Sequence, residues 1–185
     1  MNIIKKESHQ GSIITRKDFL SPIAMTLILS WIYALCAQIS IPLPFNLVPL
    51  SIHPVPIFIC IHYFGWTAIS AYGAYLLQGS CGAPFFAQAH GGLICLLGPT
   101  GGYLWGFLLA AIFMKLSYTY HKKSWITHIA RFWISAGIYF GCGLFQLSWF
   151  VPSATLYACG LYPFIIGDFI LKPLLYIVGV THKKR

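Results

Sequence analysis

Between Phe19 and Val180 the chain carries one acidic residue, Asp168, and five cations, Lys115, Lys122, Lys123, Arg131 and Lys172. A stretch so long and so poor in charge cannot clothe a water-exposed surface, because soluble domains are about one quarter charged. Only 8% of the 185 residues are charged and 58% are hydrophobic, with a mean hydropathy of +0.74. The chain therefore reads as an all-α integral membrane protein with the lipid bilayer as its solvent. A net charge of +9 would suggest nucleic acid in a soluble protein. Here Lys5, Lys6, Arg16 and Lys17 precede the apolar body and Lys183, Lys184 and Arg185 follow it. Such flanking cations record topology, and no nucleic-acid partner is expected.

A helix crosses a bilayer with about 20 apolar residues, and six crossings fit the chain. The first is expected over Phe19 to Ile41, too long for a secretory signal. The second and third share Leu47 to Gly79 with a tight turn near Gly65. The fourth is expected from Pro99 to Tyr118, the fifth from Ile126 to Phe150 and the sixth from Leu161 to Val180. The cations fall in both tails and in the loop between helices four and five, whereas Pro42 to Asn46, Gly79 to Gly98 and Val151 to Gly160 carry none. Both termini are then cytoplasmic and the uncharged loops share the outer face. This yields a single membrane domain: a tail over 1–18, a six-helix core over 19–180 and a basic tail over 181–185. Gly98, Gly102 and Gly106, and likewise Gly137 and Gly141, have the spacing that lets helices pack closely.

Asp168 and Lys172 stand four apart in the expected sixth helix, so they share one face and can pair. An isolated charge at the bilayer centre costs about 2.5–3.5 kcal/mol on insertion scales, and pairing offsets much of it. Scaffolding is one role for such a pair; receiving a small polar or anionic solute is the other. Gly79 to Gly102 holds seven glycines, two prolines and no charge among 24 residues. Irregular backbone at membrane depth must be buried in protein or line a cavity. Within or beside it Gln88, His90 and Thr100 offer hydrogen bonds, and Phe85, Phe86 and Tyr103 offer apolar faces. Cys36, Cys60, Cys81, Cys95, Cys142 and Cys159 have no metal-ligand or redox spacing and read as small buried hydrophobes. No metal site, cofactor or catalytic constellation is expected. A small membrane enzyme using Asp168 and His90 on a lipid-like substrate, and a ligand-free structural subunit, are the competing readings.

The run Gly82-Ala83-Pro84-Phe85-Phe86-Ala87, then Gly91-Gly92, then Leu97-Gly98-Pro99-Thr100-Gly101-Gly102-Tyr103-Leu104-Trp105-Gly106-Phe107 resembles the signature of the BioY family. These are the biotin-binding S components of energy-coupling factor (ECF) transporters. Ala37-Gln38-Ile39-Ser40-Ile41-Pro42-Leu43-Pro44, Val48 to His53 and Pro163 to Asp168 resemble further family segments. The resemblance implies a six-helix subunit of the bacterial cytoplasmic membrane, without enzymatic activity, that captures biotin from outside. Its partners would be an ECF transmembrane subunit and a pair of ATPases, and Ser30 and Ala34, with Ala37, would offer an AxxxA-like face to the former. The valerate carboxylate would meet Lys172, the ureido group Asp168 and Gln88, and the apolar parts the aromatic rings. Three positions depart from the family pattern. His53 stands where the family has Gln, an Arg is absent at Gly65-Trp66-Thr67, and the base follows the acid by four residues rather than three. On a straight α-helix that last change turns Lys172 by about 100°.

Overall fold

The computed structural model describes residues 16–42, 48–120, 124–165 and 167–181. The expected tail cations Lys5, Lys6, Lys183, Lys184 and Arg185, the loop pair Lys122 and Lys123, and most of the first outer loop lie outside them. The described residues form eight α-helices: α1 (Arg16–Gln38), α2 (Pro54–Phe64), α3 (Trp66–Ser80), α4 (Leu93–Leu97), α5 (Gly101–Tyr120), α6 (Trp125–Leu147), α7 (Ser153–Gly160) and α8 (Lys172–Thr181). A two-stranded antiparallel ribbon, β1 (Ser40–Ile41) and β2 (Leu50–Ser51), pairs Ser40 with Ser51 and Ile41 with Leu50. It was not anticipated, because two residues per strand leave no periodicity to read.

The local reasons for these elements are visible in the chain. Pro54 and Pro56 open α2, where a missing N–H costs nothing. Gly65 then takes φ +57, ψ −121, a turn closed to residues with a Cβ, and α3 begins at once. This is the division expected near Gly65. α6 opens with a capping box in which the Ser124 N–H donates to Thr127 Oγ1 at 3.1 Å. The expected sixth helix is broken. Leu161 to Val180 is not continuous: a 3₁₀ turn at Tyr162–Phe164 and a π-helical turn at Gly167–Leu171 precede α8. Much of the expected loop Val151 to Gly160 is instead helical, as α7, and Leu93–Leu97 within the expected loop Gly79 to Gly98 forms α4.

α1 packs on α3, α5 on α6, and α2 on α8, enclosing a core of Tyr33, Tyr72, Tyr75, Tyr139, Tyr176, Phe58 and Phe132. The outer surface is apolar: Leu35, Leu77, Ile94, Phe145 and Trp149 are each at least 65% exposed. That is far beyond the scattered apolar residues of a water-facing protein and suits contact with acyl chains. No single helix among the described residues is long and apolar enough to cross a membrane. Ser153–Phe164 and Gly167–Val180, bent by 40°, meet that measure together.

Close approach of α5 and α6 depends on glycine. A Cβ on Gly106 would lie 2.7 Å from Tyr139 Cα, and one on Gly102 would lie 2.7 Å from Gln146 Cβ. Gly137 and Gly141 face open space, so the packing expected of them is not made within the described chain. Ser30 and Ala34 are buried; Gln78 Nε2 donates to Ser30 Oγ at 3.0 Å. The small-residue face of α1 is thus turned into α3 and is not presented to a partner. The cysteines are less buried than expected: Cys81 is exposed and the other five are half-buried, Cys60 and Cys95 among them packing against the core.

Candidate ligand-binding site

A cavity of about 440 Å³ opens where α3, α5, α6 and the π turn converge beneath the 82–92 loop, a volume suited to a small organic ligand. Its polar floor is the buried pair Asp168 and Lys172. Lys172 Nζ forms an ion pair with Asp168 Oδ1, and the Tyr139 hydroxyl donates to Asp168 Oδ2 at 2.6 Å. Asp168 and Lys172 are only 2% and 5% exposed, so neither charge is screened by lipid headgroups or bulk water. The pair sits at the junction of the π turn and α8. A π turn accommodates one residue more than an α turn and recurs at functional sites. Asp168 lies within that turn and Lys172 opens α8, and both face the same cavity.

Of the residues expected from sequence, Asp168, Lys172, Gln88, His90, Tyr103, Thr100 and His53 all line this space. Phe85 does not. Its ring packs on Trp31, with centroids 5.6 Å apart, while Phe86 next to it reaches the wall. Phe85 lies in a turn, whereas Phe86 is extended and bridged to His90, so the 82–92 loop presents the second phenylalanine. Tyr103 contributes its ring, since its hydroxyl is engaged at 2.8 Å by the Gly160 carbonyl.

Sequence reasoning missed Tyr139, Tyr75, Phe107, Phe140 and Phe164, which supply most of the aromatic wall. Each looks like ordinary apolar composition along its helix, and nothing local marks the one face that turns inward. Two buried polar atoms on the wall, His53 Nε2 and Tyr75 Oη, have no hydrogen-bond partner among the described residues. Buried polar groups are nearly always satisfied, and their position on a cavity wall fits a polar ligand. The His53 ring is wedged against Tyr72, Tyr75 and Phe107, with centroids 5.8, 5.1 and 5.8 Å away. The described residues hold no cluster of three or more metal-ligating side chains.

Tyr139→Phe keeps the ring on Phe107 and Phe140 and removes only the donor to Asp168. Leaving a buried charged acceptor short of one bond costs about 1–3 kcal/mol. Ligand affinity in this variant is expected to fall about tenfold with the fold intact. Titration calorimetry and a thermal melt in detergent check both parts, and an unchanged affinity removes Tyr139 from the site.

A helical, apolar-surfaced bundle with a loop-covered, polar-floored cavity has the form of a solute-binding membrane protein. Its fold matches the crystal structure of the S-component for biotin from an ECF-type ABC transporter, with a TM-score of 0.76 over 92% of this chain and 95% of that one, at 22% identity. The BioY family model matches residues 7–185. The biotin transporter BioY of Thermotoga maritima is 33% identical over 150 residues, 80% of this chain and 87% of the relative. A probable biotin transporter BioY of Methanothermobacter thermautotrophicus is 34% identical over 109 residues, 53% of this chain and 69% of that protein. The chain belongs to the BioY family.

Proposed function

We propose that this protein captures biotin at the outer face of the bacterial cytoplasmic membrane and delivers it inward as the S component of an ECF transporter. The observation that carries this reading is the buried Asp168, Lys172 and Tyr139 cluster on the floor of an aromatic-walled cavity in a BioY-family chain. Biotin is small and largely apolar, with a ureido group at one end and a carboxylate at the other. Asp168 accepts from ureido N–H groups and Lys172 donates to an anionic oxygen. Phe86, Phe107 and Phe140 receive the thioether and alkyl parts, and Gln88, His90 and Thr100 close the outer end.

The chain crosses the membrane six times with both termini cytoplasmic: α1, α2, α3, α5, α6, and the broken α7–α8 segment. Short helices such as α2 suffice because their neighbours, not lipid, satisfy much of their surface. Transport, not catalysis, is the activity, and Asp168 and His90 have no chemical step to perform. An ATPase pair and a membrane subunit would drive release. The apolar side of α1 around Ile28, Trp31 and Leu35 is the surface left for such a partner, since Ser30 and Ala34 are turned inward.

Uptake of tritiated biotin is expected in a biotin-requiring host that expresses this chain together with an ECF module. Purified protein is expected to bind biotin with one site per chain. Absence of both, with the protein present in the membrane, would overturn the proposal.

A further inference from the structure

One side chain ties the loop above the cavity to α1. Gln38, the last residue of α1, is exposed and does not line the cavity. Its Nε2 lies 3.1 Å from the carbonyl of Phe86, 3.2 Å from that of Phe85 and 3.4 Å from that of Pro84, and 3.2 Å from Ala34 in its own helix. Its Oε1 accepts from the Ala89 N–H at 2.8 Å. Donor and acceptor ends of one amide therefore grip both limbs of the loop.

The gripped segment is bracketed by Gly82 and Gly92, with φ of +103 and +99, a conformation in which glycine is unhindered and other residues are not. Between them Gln88 and Ala89 have φ of +60 and +57, two consecutive non-glycine residues in a region such residues avoid. Ala89 is the residue whose N–H Gln38 holds, and its neighbours Gln88 and His90 both line the cavity. Contacts inside the loop, such as Phe86 N–H to His90 at 2.9 Å, preserve its shape, and Gly92 N–H to Gly79 at 2.7 Å anchors its foot on α3. Trp31 of α1 also packs on Phe85, but among these hydrogen bonds only those of Gln38 join the loop to α1.

We propose that Gln38 is a latch: a positioning residue through which α1 holds the 83–91 lid shut, so that its release sets how fast the bound vitamin leaves. The proposal rests on the biotin-capture reading above. Gln38 itself touches no ligand.

The test compares wild-type protein with Gln38→Met, which keeps the shape without the amide, and Gln38→Glu, which sets a carboxylate against three carbonyls. Two quantities are read: hydrogen exchange of the 83–91 amides without biotin, and dissociation of tritiated biotin. Both variants are expected to exchange about tenfold faster in the lid, with α3, α5 and α6 unchanged, and to release biotin about tenfold faster. The two variants are independent, so either one that folds decides the matter. Unchanged lid exchange overturns the latch, as does faster exchange spread over the whole bundle, or faster lid exchange with an unaltered biotin off-rate. A wild-type protein that binds no biotin sinks the capture reading instead, while lid exchange still decides whether Gln38 holds the loop.

Discussion

Asp168→Ala is expected to abolish biotin binding, raising Kd by at least about 100-fold, and to destabilise the bundle as well. Two effects combine. On the proposed reading the ligand loses an acceptor for charge-assisted hydrogen bonds, each about 1.5–3 kcal/mol, and Lys172 is left as a buried cation without its partner. Breaking one side of a buried ion pair costs about 3–5 kcal/mol, so thermal unfolding in detergent should occur well below the wild-type temperature. The double variant Asp168→Leu with Lys172→Met separates these contributions. Replacing both charges with apolar groups is often neutral or stabilising, so its melting temperature should recover while biotin binding does not. A double variant that binds biotin normally would reassign the pair to scaffolding.

Gly106→Val is expected to cost nearly as much, although Gly106 is not itself among the cavity-lining residues. The new Cβ would lie 2.7 Å from Tyr139 Cα and 3.0 Å from Tyr139 Cβ, against backbone that cannot swing aside. α5 and α6 must separate, and overpacking of this kind costs about 1–3 kcal/mol, occasionally more. Because Tyr139 is also the donor to Asp168, the same displacement disturbs the cavity floor, and affinity should fall together with stability. Gly137→Ala and Gly141→Ala serve as controls, since a Cβ there meets nothing within 4 Å; both should melt and bind as wild type. Wild-type binding by Gly106→Val would show that α5 and α6 tolerate separation.

The difference between these glycines illustrates what could be read from the chain and what could not. All of them repeat at the same helix-packing interval, and interval alone cannot say which neighbour a face will meet. Gly102 and Gly106 turn toward α6, whereas Gly137 and Gly141 turn away, and Gly143 and Gly160, which carried no such signal, are tightly enclosed by Tyr103 and Leu147. The cavity follows the same rule. His53, Gln88, His90, Thr100 and Tyr103 stood out as polar or aromatic residues in an otherwise apolar or irregular context. Tyr75, Phe107, Tyr139 and Phe140 did not, because aromatic residues are common throughout this sequence.

By itself the sequence determined the solvent this protein is built for, the turn at Gly65, the presence of an irregular stretch within Gly79 to Gly102 and the meeting of Asp168 with Lys172. Each follows from composition or from neighbours a few residues apart, which local geometry brings together in nearly any fold. Only the tertiary structure decided that the last crossing is broken by a π turn, that Phe86 rather than Phe85 reaches the wall, that Tyr139 braces the acid and that Gln38 grips the lid. Those contacts join residues distant along the chain, and their partners are chosen by how the helices lean and rotate against one another, which no short segment encodes.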